Sequence, residues 1–289
     1  IFYYGDNPIK TPLEYKKYGC AIAESIIDNR RNVLIVPEVH TFLLYKFPGI
    51  RKAIWWLSVD NYMQEKSTEI RAKIKNTFPF LRKVGRRQYL FSIFDPLVTH
   101  IAQSYYAESF IESKVKTKPL YLSDYLNNEF FVHDDTSHDF YANRNNIIFY
   151  NPRKGFELVE KLISLLPEFT WTPLINMSPA QMKSTLLTGK LYIDFGPHPG
   201  KDRIPREAAM QGCCVITGMK GSANFNKDVP IPDKYKIDDC TEVNQIAQRL
   251  KAIVESYESS VLDFSGYREY IKSEYTTFLH DIDRVFIQV

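Results

Sequence analysis

The sequence predicts an α/β protein in which parallel strands alternate with helices in two domains. Short apolar runs bounded by Gly, Pro, Asp or Asn alternate with amphipathic stretches from end to end, which is the pattern of βαβ units. The chain has 289 residues, about twice the usual size of a domain. Hydrophobic residues make up 44% and charged residues 25% of it, which excludes a disordered, collagen-like or coiled-coil protein.

The first half predicts a strand, a loop, a helix and a second strand, followed by further strands. Apolar residues recur at helical spacing over residues 11–28, with Thr11 as the N-cap and Pro12 in the first turn, so a helix is expected there. Ser104 is placed to cap another helix at Tyr105–Glu112. The strands expected in this half are 1–4, 32–37, 52–59, 88–94 and 100–103.

The second half shows a clearer alternation of strands and helices. The polar, aromatic stretch 127–145 has no clear period, so it is interpreted as the crossing between domains. The expected units are a domain of residues 1–145, a domain of residues 146–265, and a helical segment 266–289 that can cross back to the first domain. The expected strands are 146–150, 169–174, 190–195 and 213–217, and the expected helices are 155–166, 179–187, 205–211, 242–259 and 267–289.

The cysteines and the hydropathy indicate a cytoplasmic protein. Cys213 and Cys214 are adjacent, and with Cys20 and Cys240 they form neither a disulfide framework nor the CxxC spacing of a zinc site, so reduced thiols and no structural metal are expected. No run of about 18 apolar residues is present to span a membrane. The first residues also lack the basic and apolar parts of a secretory signal.

The charge is unevenly distributed along the chain. Residues 1–120 contain 19 Lys and Arg against 11 Asp and Glu, whereas the remainder contains 18 against 23. Eight of these cations lie in the basic stretch 66–87, beside Phe78, Phe80 and Leu81. Such a mixture suits an anionic membrane surface, although a solvated helix and loop is the simpler interpretation. Nucleic acid is disfavoured, because no binding motif accompanies the charge.

The segment 194–217 is the most informative for function. A buried strand leads through a loop with Gly196 and Gly200 into a helix that has Pro205 at its expected first position and ends at Gly212. Glycines allow a ligand close to the backbone, and the free N–H groups of the helix attract negative charge, so this arrangement predicts an anion site at the carboxyl edge of the sheet. Three cationic side chains lie on the same segment: Lys201, Arg203 and Arg206.

Two segments resemble the GT-B glycosyltransferases. REAAMQGCCVIT, residues 206–217, resembles the helix whose glutamate accepts hydrogen bonds from the ribose of a sugar nucleotide, which gives that role to Glu207. FYNPRKG, residues 149–155, is similar to the strand, basic loop and helix start that open the nucleotide-binding domain, and the resemblance implies that Arg153 and Lys154 neutralise the donor diphosphate. It also implies two Rossmann-like domains facing across a cleft, the GT-B architecture.

The resemblance extends along the chain, with one departure. Residues 9–38 and 100–111 are similar to parts of the family's acceptor domain, while 120–126 and 191–239 look like enzymes of bacterial surface-polysaccharide (O-antigen or capsule) gene clusters. Many retaining members carry a second glutamate eight residues before the ribose-binding one, where this chain has Pro199. Contacts to the sugar hydroxyls are then expected from His198, Lys201 or Asp202.

The acceptor side is less well marked. Its candidates follow predicted strands, at 5–7, 38–40, Asp60 with Asn61, and Asp95, and Asp60 is taken as the catalytic candidate. A base is required only if the reaction inverts the anomeric centre, and each residue also suits a cap or a turn. The run 133–138 contains two His and two Asp, but a solvated loop is favoured there over a metal site.

Together with these observations, the resemblance implies a cytoplasmic, metal-independent hexosyltransferase that uses a nucleoside diphosphate sugar as donor, needs no cofactor, and acts on a lipid-linked bacterial glycan. Contact with the inner face of the membrane through 66–87 is part of the same expectation. Two alternatives remain open. One is an epimerase of sugar nucleotides with the same fold. The other is a non-catalytic subunit that binds a glycan or a nucleotide, and it is suggested by the proline at position 199 in place of the glutamate.

Overall fold

The computed structural model of the chain describes residues 16, 18–23, 25–66, 89–91, 97–115, 117–131 and 141–288. Two parallel sheets account for the described strands, and every pairing in them is parallel. The first sheet has the order β1-β2-β3-β4, made of Val33–Pro37, Arg51–Trp56, Val98–Ala102 and Leu120–Tyr121. The second has the order β6-β5-β7-β8-β9, in which β5 to β9 are Asn145–Tyr150, Thr170–Pro173, Gly189–Asp194, Cys214–Gly218 and Lys236–Ile237.

Helices connect these strands. Short 3₁₀ turns supplement them at Glu38–Tyr45, Asn128–Phe130, Gly221–Asn224, Asp233–Tyr235 and Val261–Phe264. The helices α1 to α8 are Val59–Lys66, Tyr105–Glu112, Phe156–Leu165, Pro179–Leu186, Arg203–Met210, Val243–Glu255, Tyr257–Ser260 and Ser265–Gln288. We refer to the described residues up to 131 as the first domain and to residues 141–264 as the second domain. Among the described residues, none of the helices combines the length and hydropathy needed to cross a bilayer.

The second sheet forms the main core. Strands β7 and β8 are buried almost throughout, as expected for parallel strands covered on both faces by helices. Every strand and helix predicted for residues 146–217 is confirmed to within a few residues. The largest difference is at the start of α5, which begins at Arg203, so Pro205 is its third residue and not its first.

The first domain departs further from its prediction. The predicted strand 52–59 ends at Trp56, and Val59 instead begins α1, where its N–H donates to the carbonyl oxygen of Pro199 at 2.9 Å. Of the helix predicted over 11–28, Lys16 is helical, whereas residues 18–23 and 25–28 are not: Ile22 makes a β-bridge and Ile27 is 71% exposed. The rest of that range lies outside the described residues. A short amphipathic helix is stable only when its apolar face is buried, and the side chains of Ile22 and Ile27 are exposed.

Other expectations for this half have mixed outcomes. The Ser104 cap is confirmed, because its Oγ accepts from the N–H of Ala107 at 3.1 Å at the start of α2. Residues 89–91 are not a strand: Tyr89 is buried, and its N–H donates to Oγ1 of Thr41 at 3.0 Å. The predicted strand 1–4 and the rest of 88–94 lie outside the described residues.

Helix α8 joins the two domains. Near its start, Tyr267 and Ile271 belong to the apolar core of the second domain. Near its end, Val285 packs with Ala53 and Ile101 of the first sheet. One helix therefore buries apolar surface against both sheets, which fixes their relative position.

Candidate functional site

The site is built at the end of β7, where Asp194 terminates the buried strand. Its side chain is buried and held from two sides: Oδ2 accepts from the hydroxyl of Tyr192 at 3.0 Å, and Oδ1 accepts from the N–H of Gly196 at 3.1 Å. Burial and the carboxylate of Asp194 together raise the pKa of Tyr192 well above its ordinary value, so Tyr192 remains a hydrogen-bond donor.

Two glycines of the following loop allow close backbone packing. A Cβ at Gly196 would collide with the side chain of Lys154, and a Cβ at Gly200 would collide with the carbonyl oxygen of Leu57 in the first domain. Glycine is required at both positions because other atoms of the protein occupy the place where a Cβ would lie. Gly200 therefore brings the loop of the second domain against the first.

A cavity of about 460 Å³ lies between the domains, at the carboxyl edges of both sheets. Its position agrees with the general rule that ligands of open α/β sheets bind beyond these edges. The wall from the first domain is mostly uncharged, whereas the wall from the second domain carries charge. The first domain contributes Leu57, Ser58, Asn61, Gln103 and Asp124, and the second contributes Asn151, Lys154, Asp194 and residues 199–205.

Four charged or titratable side chains cluster on the wall of the second domain. The ammonium of Lys154 donates to Oδ2 of Asp202 and lies 3.9 Å from Oδ2 of Asp194. The buried ring of His198 lies between the same two carboxylates, with Nδ1 3.0 Å from Oδ2 of Asp202 and Nε2 3.6 Å from Oδ1 of Asp194. Burial opposes ionisation of Asp202, but His198 and Lys154 outweigh it and lower the pKa of that carboxyl.

The same cluster is the one group of described residues arranged to hold a metal ion. Asp194, His198 and Asp202 each present a ligand atom, and these atoms lie within 4.8 Å of one another. The ammonium of Lys154 already lies against both carboxylates, so a cation is provided by the chain itself. His133 and His138 lie outside the described residues.

Lys201 and Arg206, both predicted to face an anion, are paired within the protein. Lys201 forms an ion pair with Glu274 of α8 at 2.8 Å and donates to Oγ of Ser123 at 2.9 Å. Arg206 pairs with the same glutamate and with Asp124, each at 2.9 Å. Both cations are buried, so the structure gives them contacts that join the two domains and α8.

Glu207 and Arg203 lie in the first turns of α5. Glu207 is buried, and Nε of Arg203 lies 3.7 Å from its Oε1. Burial raises the pKa of Glu207, opposed by the nearby charges of Arg203 and Arg206. Arg203 is exposed and lines the cavity, whereas Glu207 is beside the cavity and not among its lining residues.

Arg153 and Lys154 are adjacent in sequence but lie in different cavities. Lys154 lines the cavity between the domains. Arg153 lines a second cavity of about 530 Å³ within the second domain, and its Nη2 donates to Oδ1 of Asn176 at 3.2 Å. The structure therefore does not bring the two predicted diphosphate ligands together.

On the acceptor side, Asp60 is not among the residues that line the cavity. It lies in the first turn of α1, and its Oδ1 accepts from the hydroxyl of Tyr106 at 2.7 Å. Its neighbour Asn61 lines the cavity instead. Glu38 is buried and accepts from the N–H of Leu57 at 2.9 Å, while residues 5–7 and Asp95 lie outside the described residues.

Sequence reasoning missed several residues of the cavity. Asp194, Gln103 and Asp124 each follow or end a strand, so a search of all strand ends at the carboxyl edge would have found them. Glu274 lies in the middle of a long helix, 68 residues from Arg206. No local sequence signal points to that contact.

Solved structures with a similar fold were found. Sucrose-phosphate synthase from Thermosynechococcus elongatus matches with a TM-score of 0.64 and 12% identity, over 95% of this chain and 75% of that one. TarM matches with a TM-score of 0.58 and 14% identity, over 90% of this chain and 56% of that one, so this chain spans little more than half of TarM. Anabaena HepE, solved in complex with UDP-glucose, matches with a TM-score of 0.57 and 9% identity, over 87% and 78%.

These similarities show the fold. The neighbours are GT-B glycosyltransferases, so the chain has the α/β architecture of two Rossmann-like domains that the sequence predicted. No protein-family model matches the sequence, and the search of curated proteins found no match.

Proposed function

We propose that the protein is a glycosyltransferase that moves a sugar from a nucleoside diphosphate sugar to a glycan acceptor. The observation that carries this proposal is the cavity between the domains, where Lys154 and the start of α5 face a mostly uncharged polar wall. A polyanionic leaving group suits the first side, and a hydroxyl-bearing acceptor suits the second. The similarity in fold to HepE, which was solved with UDP-glucose, supports the same choice of donor.

The proposed chemistry places the departing diphosphate against Lys154 and the first turn of α5. Breaking the glycosidic bond leaves negative charge on the diphosphate, and an ammonium and a helix N-terminus both stabilise that charge. The side chain of Asp202, at the N-cap of α5, accepts no hydrogen bond from the helix. Under this proposal these groups do the work of a metal, and the transferred sugar is a hexose.

The acceptor proposed is a lipid-linked bacterial polysaccharide, of the O-antigen or capsule type, built at the cytoplasmic face of the membrane. Support comes from the resemblance of residues 120–126 and 191–239 to enzymes of such gene clusters. The basic stretch 66–87, which lies outside the described residues except for Lys66, is the proposed contact with anionic lipid.

A sugar-nucleotide epimerase is the second candidate. It needs acid and base groups beside the donor sugar, and Asp194, His198 and Asp202 provide such groups next to Lys154. Incubation with a sugar nucleotide and no acceptor separates the two. Only the epimerase converts the sugar nucleotide through many turnovers under that condition.

The proposal is tested first by binding. A thermal-shift panel of UDP, GDP and ADP should raise the unfolding temperature with one of them, because a ligand at 100 times its Kd stabilises a protein by about 2.7 kcal/mol. Lys154→Gln should reduce the shift to about half or less, because a Kd that is tenfold weaker leaves about 1.4 kcal/mol of stabilisation. Lys161→Gln, a change to an exposed lysine on α3, should preserve the full shift. No shift with any of the three would reject the donor class. Binding without transfer or epimerisation would indicate a non-catalytic subunit.

A further inference from the structure

The wall of the second domain has one carboxylate that is open to the cavity. The side chain of Asp202 is 23% exposed, whereas that of Asp194 is 1% exposed and already accepts two hydrogen bonds. Of the other residues expected to contact a donor sugar, Lys201 is 3% exposed and paired with Glu274, and the side chain of His198 is fully buried. Asp202 is therefore the member of this set that a ligand can reach.

Asp202 is also next to the place where a diphosphate would bind. Its Oδ2 accepts a hydrogen bond from the ammonium of Lys154. A phosphate oxygen bound to the same ammonium would lie about 2.8 Å from the nitrogen, and hence within about 5 Å of that carboxylate. The sugar is attached directly to the terminal phosphate, so its hydroxyls lie within reach of Asp202.

The surroundings of Asp202 suit an acceptor of hydrogen bonds from hydroxyl groups. An ionised carboxylate accepts only, and its two oxygens can take two neighbouring hydroxyls. Nδ1 of His198 lies 3.0 Å from Oδ2 of Asp202. This second neighbour of the carboxylate does not depend on Lys154, which a diphosphate would bind. Because Asp202 caps no helix N–H, changing it leaves the start of α5 without a lost hydrogen bond.

We infer that Asp202 binds the hydroxyl groups of the donor sugar and determines which sugar is accepted. This inference rests on the proposed function. In the free protein the ammonium of Lys154 donates a hydrogen bond to Asp202. In the complex the diphosphate accepts from Lys154 in place of Asp202, and the carboxylate of Asp202 accepts from the sugar hydroxyls. The residue therefore opposes binding of the free nucleoside diphosphate and favours binding of the sugar nucleotide.

The test compares two affinities by calorimetry on the whole chain, using UDP with UDP-glucose, GDP with GDP-mannose and ADP with ADP-glucose. For the pair that binds, Asp202→Asn should tighten binding of the free nucleotide severalfold and weaken that of the sugar nucleotide about tenfold. A deoxy analogue of the sugar nucleotide that lacks a hydroxyl bound by Asp202 should bind the original protein about tenfold more weakly, and the variant should bind this analogue and the sugar nucleotide equally well.

Asp239→Asn is the matched control, because Asp239 is an exposed carboxylate paired with Lys220 at 3.0 Å in the other cavity. It should leave both affinities unchanged. Should Asp202→Asn fail to fold, Asp202→Ser, which keeps a residue favoured at an N-cap, is measured in its place. Equal changes in both affinities would overturn the inference and leave the proposed function standing. Absence of nucleotide binding in the original protein would overturn the proposed function itself.

Discussion

At the scale of single residues, Glu207 is the residue to which the resemblance gives contact with the ribose of the nucleotide. It is buried beside the cavity, and its pKa is raised by burial against the pull of Arg203 and Arg206. We expect Glu207→Ala to weaken nucleotide binding by about 1.5–3 kcal/mol, because two hydroxyls would lose a charged acceptor. Titration calorimetry with a folded variant measures this. Glu255→Ala, an exposed glutamate at the end of α6, should bind as before, and an unchanged affinity in Glu207→Ala would refute the assignment.

Substitutions of Lys154 and Arg153 should differ in their effect on nucleotide binding. Lys154 faces the cavity between the domains, whereas Arg153 lines the other cavity and donates to Asn176. We expect Lys154→Ala to weaken binding of the nucleoside diphosphate by tenfold or more, and to weaken the monophosphate less, because the ammonium is directed at the second phosphate. Arg153→Ala should have the smaller effect on both. Competition binding with UDP and UMP, or the matching purine pair, compares them, and equal losses in the two variants would contradict the placement.

His100 has a different role, in the core of the first domain. Nε1 of Trp56 donates to its Nδ1 at 3.0 Å, so that nitrogen carries no proton, and its Nε2 lies 3.3 Å from the hydroxyl of Tyr89. Burial lowers the pKa of His100 to about 4, from its ordinary 6.5. The folded protein therefore holds the neutral ring where an unfolded chain would bind a proton.

The stability of the protein should fall on acidification through this residue. Between pH 6.5 and about 4 the unfolded state binds more protons at His100, so the full contribution is present above pH 6.5 and is lost below it. The expected loss from His100 between pH 7 and pH 5 is about 2 kcal/mol of unfolding free energy. Urea denaturation at both pH values measures it. His100→Gln can still accept from Trp56 and should lose about 2 kcal/mol less than the original protein, and the same loss in both would show that another group is responsible.

At the scale of elements, α8 is tied to α5 and to the loop before it by one buried glutamate. Glu274 is 3% exposed and pairs with both Lys201 and Arg206. Removing its charge would leave two buried cations short of a partner, so we expect Glu274→Gln to destabilise the fold by about 3–5 kcal/mol. Thermal and urea unfolding measure this loss.

Glu269 on the same helix provides the comparison. It pairs with Lys272 at 2.8 Å but is 70% exposed, and an exposed pair contributes little because water screens it. Glu269→Gln should change the unfolding free energy by less than about 0.5 kcal/mol. Similar effects of the two substitutions would show that the buried pairs do not hold α8 in place.

At the scale of the whole molecule, the proposed contact with a membrane rests on the basic stretch 66–87. At about 1 kcal/mol per cation near an anionic surface, half of its charges would give measurable attachment at low salt, with steep loss as the ionic strength rises. We expect co-sedimentation with vesicles of phosphatidylcholine and phosphatidylglycerol, but not with phosphatidylcholine alone. Attachment should be lost when four residues of the stretch become Ser: Arg82, Lys83, Arg86 and Arg87.

The matched control for that experiment removes four cations elsewhere. Attachment should persist when exposed lysines of the second half become Ser, namely Lys161, Lys220, Lys234 and Lys251. Equal loss in both variants would mean that net charge alone governs binding. Equal partitioning to neutral and anionic vesicles would leave the stretch as an ordinary solvated face.

Sequence alone determined the alternation of strands and helices in the second domain and several of its boundaries. The strands around Asp194 and the cap at Ser104 were readable because apolar period and cap chemistry act over a few residues. The carboxyl edge of the sheet as the site of the cavity followed from the same pattern. The predicted helix at 11–28 is absent at residues 18–23 and 25–28, although Lys16 is helical, because a local period does not decide whether an apolar face finds a surface to cover.

Only the tertiary structure decided what each charged side chain does. Lys201 and Arg206 form ion pairs with Glu274. Asp60 accepts a hydrogen bond from Tyr106, and Lys154 donates one to Asp202. Most of these partners are far away in sequence, and some belong to the other domain or to α8. A side chain's charge is a property of its own residue, but whether that charge is free for a ligand depends on which other charges the completed fold brings within about 4 Å of it.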